Sequence, residues 1–116
     1  DLAYAVPGHT PGHLLFILNN GENDILFTGD SAKNRAELLS RKVVDTDDAE
    51  ESANSIELIW RYWKKRPGNL LIPGHDLSMV LDAQDQPTYL GNREAAIRVW
   101  FTESIENSDV IDLTGA

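Results

Sequence analysis

The chain has 116 residues, 41% of them hydrophobic, a formal net charge of −9 and no cysteine. That length allows a single domain with a modest core, and the apolar fraction is too high for a disordered chain. Absence of cysteine excludes disulfides and thiolate metal sites, the acidic surface argues against nucleic-acid or membrane partners, and no apolar run reaches the ~20 residues of a membrane span.

Residues 2–6, Leu-Ala-Tyr-Ala-Val, read as a short buried strand stopped by Pro7-Gly8. Residues 14–19 form a second strand, and Asn20-Gly21 signals the hairpin into a third at 25–28, which ends at Gly29-Asp30. These runs are apolar on both sides of the pleat, so the sheet is expected to be covered on both faces. Residues 31–41 read as a short helix with Ala32, Ala36 and Leu39 on one face. A longer helix is expected over 47–66, with Ala49, Ala53, Ile56, Trp60 and Trp63 at spacings of 4, 3, 4 and 3. Asp47 and Glu50 form its expected capping pair, its basic end complements the helix dipole, and Pro67-Gly68 stops it. The two tryptophans sit at core spacing. Leu70-Leu71-Ile72 is a buried strand broken by Pro73-Gly74, and residues 79–81 form a further short strand. Residues 82–88 read as polar loop. Asn92 is placed to cap a last helix with Ala96, Val99 and Trp100 facing inward, and residues 110–113 close the chain as a strand.

Three segments repeat one design: an apolar strand, a turn of small residues, then a side chain able to bind a metal. They are Val6-Pro7-Gly8-His9, Phe27-Thr28-Gly29-Asp30 and Ile72-Pro73-Gly74-His75. Glycine permits a sharp turn beside a bulky ligand, and a rigid strand end fixes that ligand while leaving one side open. Two imidazoles and a carboxylate suit Zn2+, as one ion or two, and equally accommodate iron or manganese. A carboxylate can bridge two cations, which makes Asp30 the candidate catalytic group, a bridging ligand that positions the attacking water. His9 and His13 are four residues apart, but Pro11-Gly12 between them rules out a helical metal pair. Lys33, Asn34 and Arg35 follow Asp30 closely and either rim a substrate mouth or, more simply, form a solvated helix face.

The strings Pro7-Gly8-His9-Thr10-Pro11-Gly12-His13, Leu26-Phe27-Thr28-Gly29-Asp30 and Ile72-Pro73-Gly74-His75-Asp76, in this order and with a helix between the last two, resemble the metallo-β-lactamase superfamily. The resemblance implies an α/β fold with α+β-type layers. The chain would be the C-terminal half of a four-layer αββα sandwich, with a mostly mixed or antiparallel sheet covered by helices, in a single domain over 1–116. It further implies His9 as a ligand of a first metal, Asp30 as a bridge and His75 as a ligand of a second, with Thr10, His13 and Asp76 in supporting positions. The Gly-His-Asp ending is similar to the lactonase and glyoxalase II-like branches of small-molecule hydrolases.

The superfamily's first ligand motif, HxHxDH, does not occur in this sequence. The expectation is therefore a piece of a longer hydrolase, acting on a small ester, lactone or thioester through a metal-bound water. Alternatives are a non-catalytic half-fold that forms a homodimer through an uncovered sheet face, and a di-iron oxidoreductase of the same superfamily. The expected partner is a small-molecule substrate and the expected location cytoplasmic.

Overall fold

The computed structural model describes residues 2–91, 96–100, 103 and 108–112. Six strands form one sheet in sequence order: β1 (Leu2–Ala5), β2 (Leu14–Asn19), β3 (Asp24–Gly29), β4 (Leu70–Pro73), β5 (Met79–Leu81) and β6 (Pro87–Tyr89). Neighbours pair antiparallel except β3 and β4, which are parallel. A parallel pair needs a long crossover, and it is made by α1 (Arg35–Ser40) and α2 (Ala49–Trp63). The strands β7 (Ala96–Trp100) and β8 (Ser108–Asp112) pair antiparallel in a second, two-stranded sheet. The result is the mixed-sheet architecture with helices expected from the sequence. Among the described residues, no helix is long and apolar enough to cross a membrane.

One face of the large sheet meets the helices. Leu15, Leu26, Leu71 and Met79 are fully buried there against Leu38, Ile56, Ile59 and Trp63. Both core tryptophans direct their indole N–H groups to buried carbonyls, Trp60 to Leu38 and Trp63 to Asn69. A buried indole needs such an acceptor. The other face is not covered as its composition had suggested. In β2, Leu14, Phe16 and Leu18 are 41%, 52% and 41% exposed, while Leu15 and Ile17 between them point into the core. The apolarity of both sides marks a sheet suited to two covering layers, and the described residues supply one.

Several local expectations are corrected. The helix anticipated over 31–41 spans only Arg35–Ser40, because residues 28–32 are tied into a turn and Asn34 caps the helix by accepting from the Glu37 N–H. It buries Leu38 and Glu37, whereas Ala36 and Leu39 are exposed. In α2 the cap is Asp48, whose carboxylate accepts from the Glu51 N–H, one residue later than expected. The first turns of α2 bury Ser52 and Ser55 in place of Ala49 and Ala53, and the helix ends at Trp63. Within the segment anticipated as loop, residues 82–86 do turn, on an Asp82 carboxylate that accepts from Gln84 and Gln86, but Pro87 already begins β6. The helix expected around Ala96, Val99 and Trp100 is strand β7. Ile97 and Val99 favour a pleated strand, and β8 offers the ladder that a lone helix of this length lacks. The cap assigned to Asn92 and the strand end at Leu113 lie outside the described residues.

Candidate metal centre

Strand direction assembles the site. β1 and β3 are both antiparallel to β2, and β3 is parallel to β4, so all three strands run the same way. Their C-terminal ends therefore emerge on one edge of the sheet, carrying His9, Asp30 and His75. The Asp30 carboxylate stands between the two imidazoles. His9 Nε2 lies 3.2 Å from Asp30 Oδ2, and His75 Nε2 lies 2.8 Å from Asp30 Oδ1. Each oxygen thus faces a different ring.

Each of these groups is held from behind. His9 Nδ1 sits 3.0 Å from the Asp45 carbonyl. A carbonyl can only accept, so Nδ1 carries a proton there, and Nε2 is the nitrogen turned toward Asp30; a backbone partner of this kind holds the orientation of the ring. The Asp30 backbone N–H donates to His13 Nε2 at 3.1 Å. The Thr28 carbonyl, 3.3 Å from the same nitrogen, is the weaker contact, since one ring nitrogen cannot accept from Asp30 and donate to Thr28 at once. His13 therefore braces the turn that carries Asp30, its ring edge-on to that of His9. The turn itself closes through Thr28 Oγ1, which donates to the Ala32 carbonyl, and Ser31 Oγ, which donates to the Thr28 carbonyl. His75 is positioned through its backbone N–H, 2.8 Å from the Lys33 carbonyl.

Thr10 contributes its carbonyl, which accepts from Gly8 and His13 and so closes the loop carrying His9. The Asp76 carboxylate ties three segments together. It accepts from the Arg35 N–H at the start of α1, from the Tyr89 hydroxyl of β6 and from its neighbour Leu77. Two serines of α2 also belong to this support, and sequence patterning missed them. Ser55 Oγ donates to the Pro7 carbonyl at 2.6 Å, and Ser52 packs against Gly8 so closely that any Cβ there would overlap it. The only sequence signal was small residues on the buried side of α2.

The donor types fit zinc: two imidazoles and a carboxylate. Their grouping is divided, because the imidazoles face opposite oxygens and do not converge. Accordingly, among the described residues no group of three or more His, Cys, Asp or Glu side chains is arranged to hold one metal ion. His9 faces one oxygen of Asp30 and His75 the other. The centre is also open. His75 is 63% exposed against 34% for Asp30 and 23% for His9, so ligands from elsewhere have access.

Comparison with known proteins identifies the family and the fold. Residues 1–75, which contain all three groups, match the family described as the metallo-beta-lactamase superfamily. No curated protein matches the chain. Among solved structures, the chain is similar to AidC, described as a dizinc quorum-quenching lactonase in complex with a product, N-hexnoyl-L-homoserine. The TM-score is 0.61 at 13% identity, over 78% of this chain and 34% of the lactonase, so the chain spans about a third of that protein's length. The likeness is one of fold, a partial αββα sandwich with its mixed sheet and helical layer. By its match across residues 1–75, the chain belongs to the metallo-beta-lactamase superfamily.

Proposed function

We propose that this chain carries the later metal ligands of a metal-dependent hydrolase that cleaves a small ester, lactone or thioester, and that an upstream segment bearing the HxHxDH motif completes the centre. The observation that supports this reading is the single carboxylate of Asp30 held between two imidazoles that approach different oxygens. Zinc bound there would acidify a water toward neutral pH and act as a Lewis acid toward a carbonyl oxygen. The chain's own residues have defined parts. With a metal bound, His9 and His75 would each give up a ring nitrogen to it and Asp30 an oxygen, while His13 holds the Asp30 turn and the Asp45 carbonyl holds the His9 ring. In the description of AidC, the lactonase carries two zinc ions. That description and the superfamily match support zinc as the metal.

Calorimetric zinc titration tests the reading. The 116-residue chain is expected to bind zinc weakly, because two-ligand half-sites hold metal poorly, and Asp30→Ala should lower the affinity more than about tenfold. His9→Ala and His75→Ala should each remove one component. A protein that also contains the upstream motif should bind two ions and hydrolyse a lactone, ester or thioester from a test panel. Zinc affinity indifferent to Asp30→Ala would overturn the assignment.

The uncovered sheet face supports a second reading, a half-fold that pairs with another copy of itself. Contiguous apolar surface of this kind seldom stays bare in solution, and Leu14, Phe16 and Leu18 form such a row. A monomeric mass by light scattering at micromolar concentration would count against it.

A further inference from the structure

Beside His75, an open cleft of about 650 Å³ runs between α1 and β6. That volume falls within the roughly 300–1,000 Å³ of small-molecule sites. Its walls combine the apolar Ala36, Leu39 and Pro87 with the polar Arg35, His75, Asp76 and Tyr89. Arg35 is unlike the other charged groups near it. The Asp76 carboxylate is already committed to the Tyr89 hydroxyl and to the backbone N–H groups of Arg35 and Leu77. Lys33 pairs with Glu37 at 3.0 Å. The Arg35 side chain, by contrast, spends only its Nε, which donates to the Pro87 carbonyl at 3.0 Å and so fixes the plane of the guanidinium. Among the described residues, its terminal nitrogens meet no carboxylate. A half-buried, oriented guanidinium with an unused fork of donors binds a carboxylate better than a neutral oxygen.

We infer that this cleft is a recognition subsite for a small carboxylate with a short aliphatic chain, with Arg35 as its anion anchor. The aliphatic part lies along Ala36, Leu39 and Pro87, and the carboxylate pairs with Arg35. Because His75 borders the cleft, a substrate held there extends toward Asp30. That the ligand is a substrate rests on the hydrolase reading above; that the cleft binds a carboxylate does not.

The test is a 15N chemical-shift titration of the zinc-free 116-residue chain with butanoate and with its uncharged counterpart butanamide. Butanoate should give saturable shifts at Arg35, Ala36, Leu39, His75 and Thr88, with butanamide at least about tenfold weaker, the worth of one charge-assisted contact. Arg35→Gln should reduce butanoate to the level of butanamide, and Arg35→Lys, which keeps charge without the fork, should restore part of the difference. Equal binding of butanoate and butanamide by the unaltered chain, or shifts confined to another surface, would overturn the inference. That comparison decides the matter even if Arg35→Gln fails to fold. Carboxylate binding without zinc binding would remove the hydrolase reading and leave the anion site standing. Zinc binding without carboxylate binding would remove the anion site alone.

Discussion

Glycine precedes each of the three metal-capable residues, and the reason differs from one position to the next. Gly29 adopts φ +53°, a left-handed conformation that most side chains avoid. At Gly74 the requirement is space: an added Cβ would stand 2.5 Å from the Gly29 carbonyl oxygen and 2.7 Å from Asp30 Oδ1. The turn before His75 thus packs directly on the turn that carries Asp30. Gly74→Ala should force the two apart, destabilising the fold by about 1–3 kcal/mol as overpacked sites do and weakening zinc binding with it; urea denaturation beside the zinc titration reads both. The repeated Gly-ligand pattern was plain in the sequence, because it is local. That His13 would brace the Asp30 turn was not, since the contact spans 17 residues and depends on which nitrogen the backbone N–H meets.

At the scale of the element, α2 shows how a correct helix can be read one step out of phase. Its apolar repeat identified Ile56, Trp60 and Trp63 as core, and all three are buried. Ala49 and Ala53 fitted the same repeat on composition, but the first turns rotate Ser52 and Ser55 inward. Their hydroxyls find partners there, Thr46 for Ser52 and the Pro7 carbonyl for Ser55. Adjacent Asp47 and Asp48 look alike as caps, and only Asp48 accepts a helix N–H. Asp48→Ala is therefore expected to cost about 1 kcal/mol, and Asp47→Ala close to nothing, a difference measurable by thermal unfolding. Strands β6 and β7 escaped the sequence for a related reason. Three to five residues are too few to show a period, and their partners decide the outcome.

For the whole molecule, the dominant feature is the exposed apolar row of β2, next to the sheet edge. Phe16 stands 52% exposed in its middle, flanked by Leu14 and Leu18. Phe16→Lys should leave the stability of the isolated chain within about 0.5 kcal/mol, as exposed substitutions do. It should also lower any self-association seen by light scattering, because a charge would then occupy the middle of the apolar row. Unchanged association in this variant would show that a different surface pairs.

By itself the sequence determined the strands that end in Pro-Gly or Thr-Gly turns, the long amphipathic helix, the superfamily, and the identity of His9, Asp30 and His75 as the groups of interest. Each of these is written in neighbouring residues or in short periodic patterns. Tertiary structure alone decided that the three groups meet, that the imidazoles take opposite oxygens of one carboxylate, and that Arg35 lines a cleft with its terminal nitrogens meeting no carboxylate among the described residues. It also decided that, among the described residues, the outward row of β2 lies exposed. These depend on strand direction and on contacts between segments far apart in the chain, where distance along the sequence carries no record of distance in space.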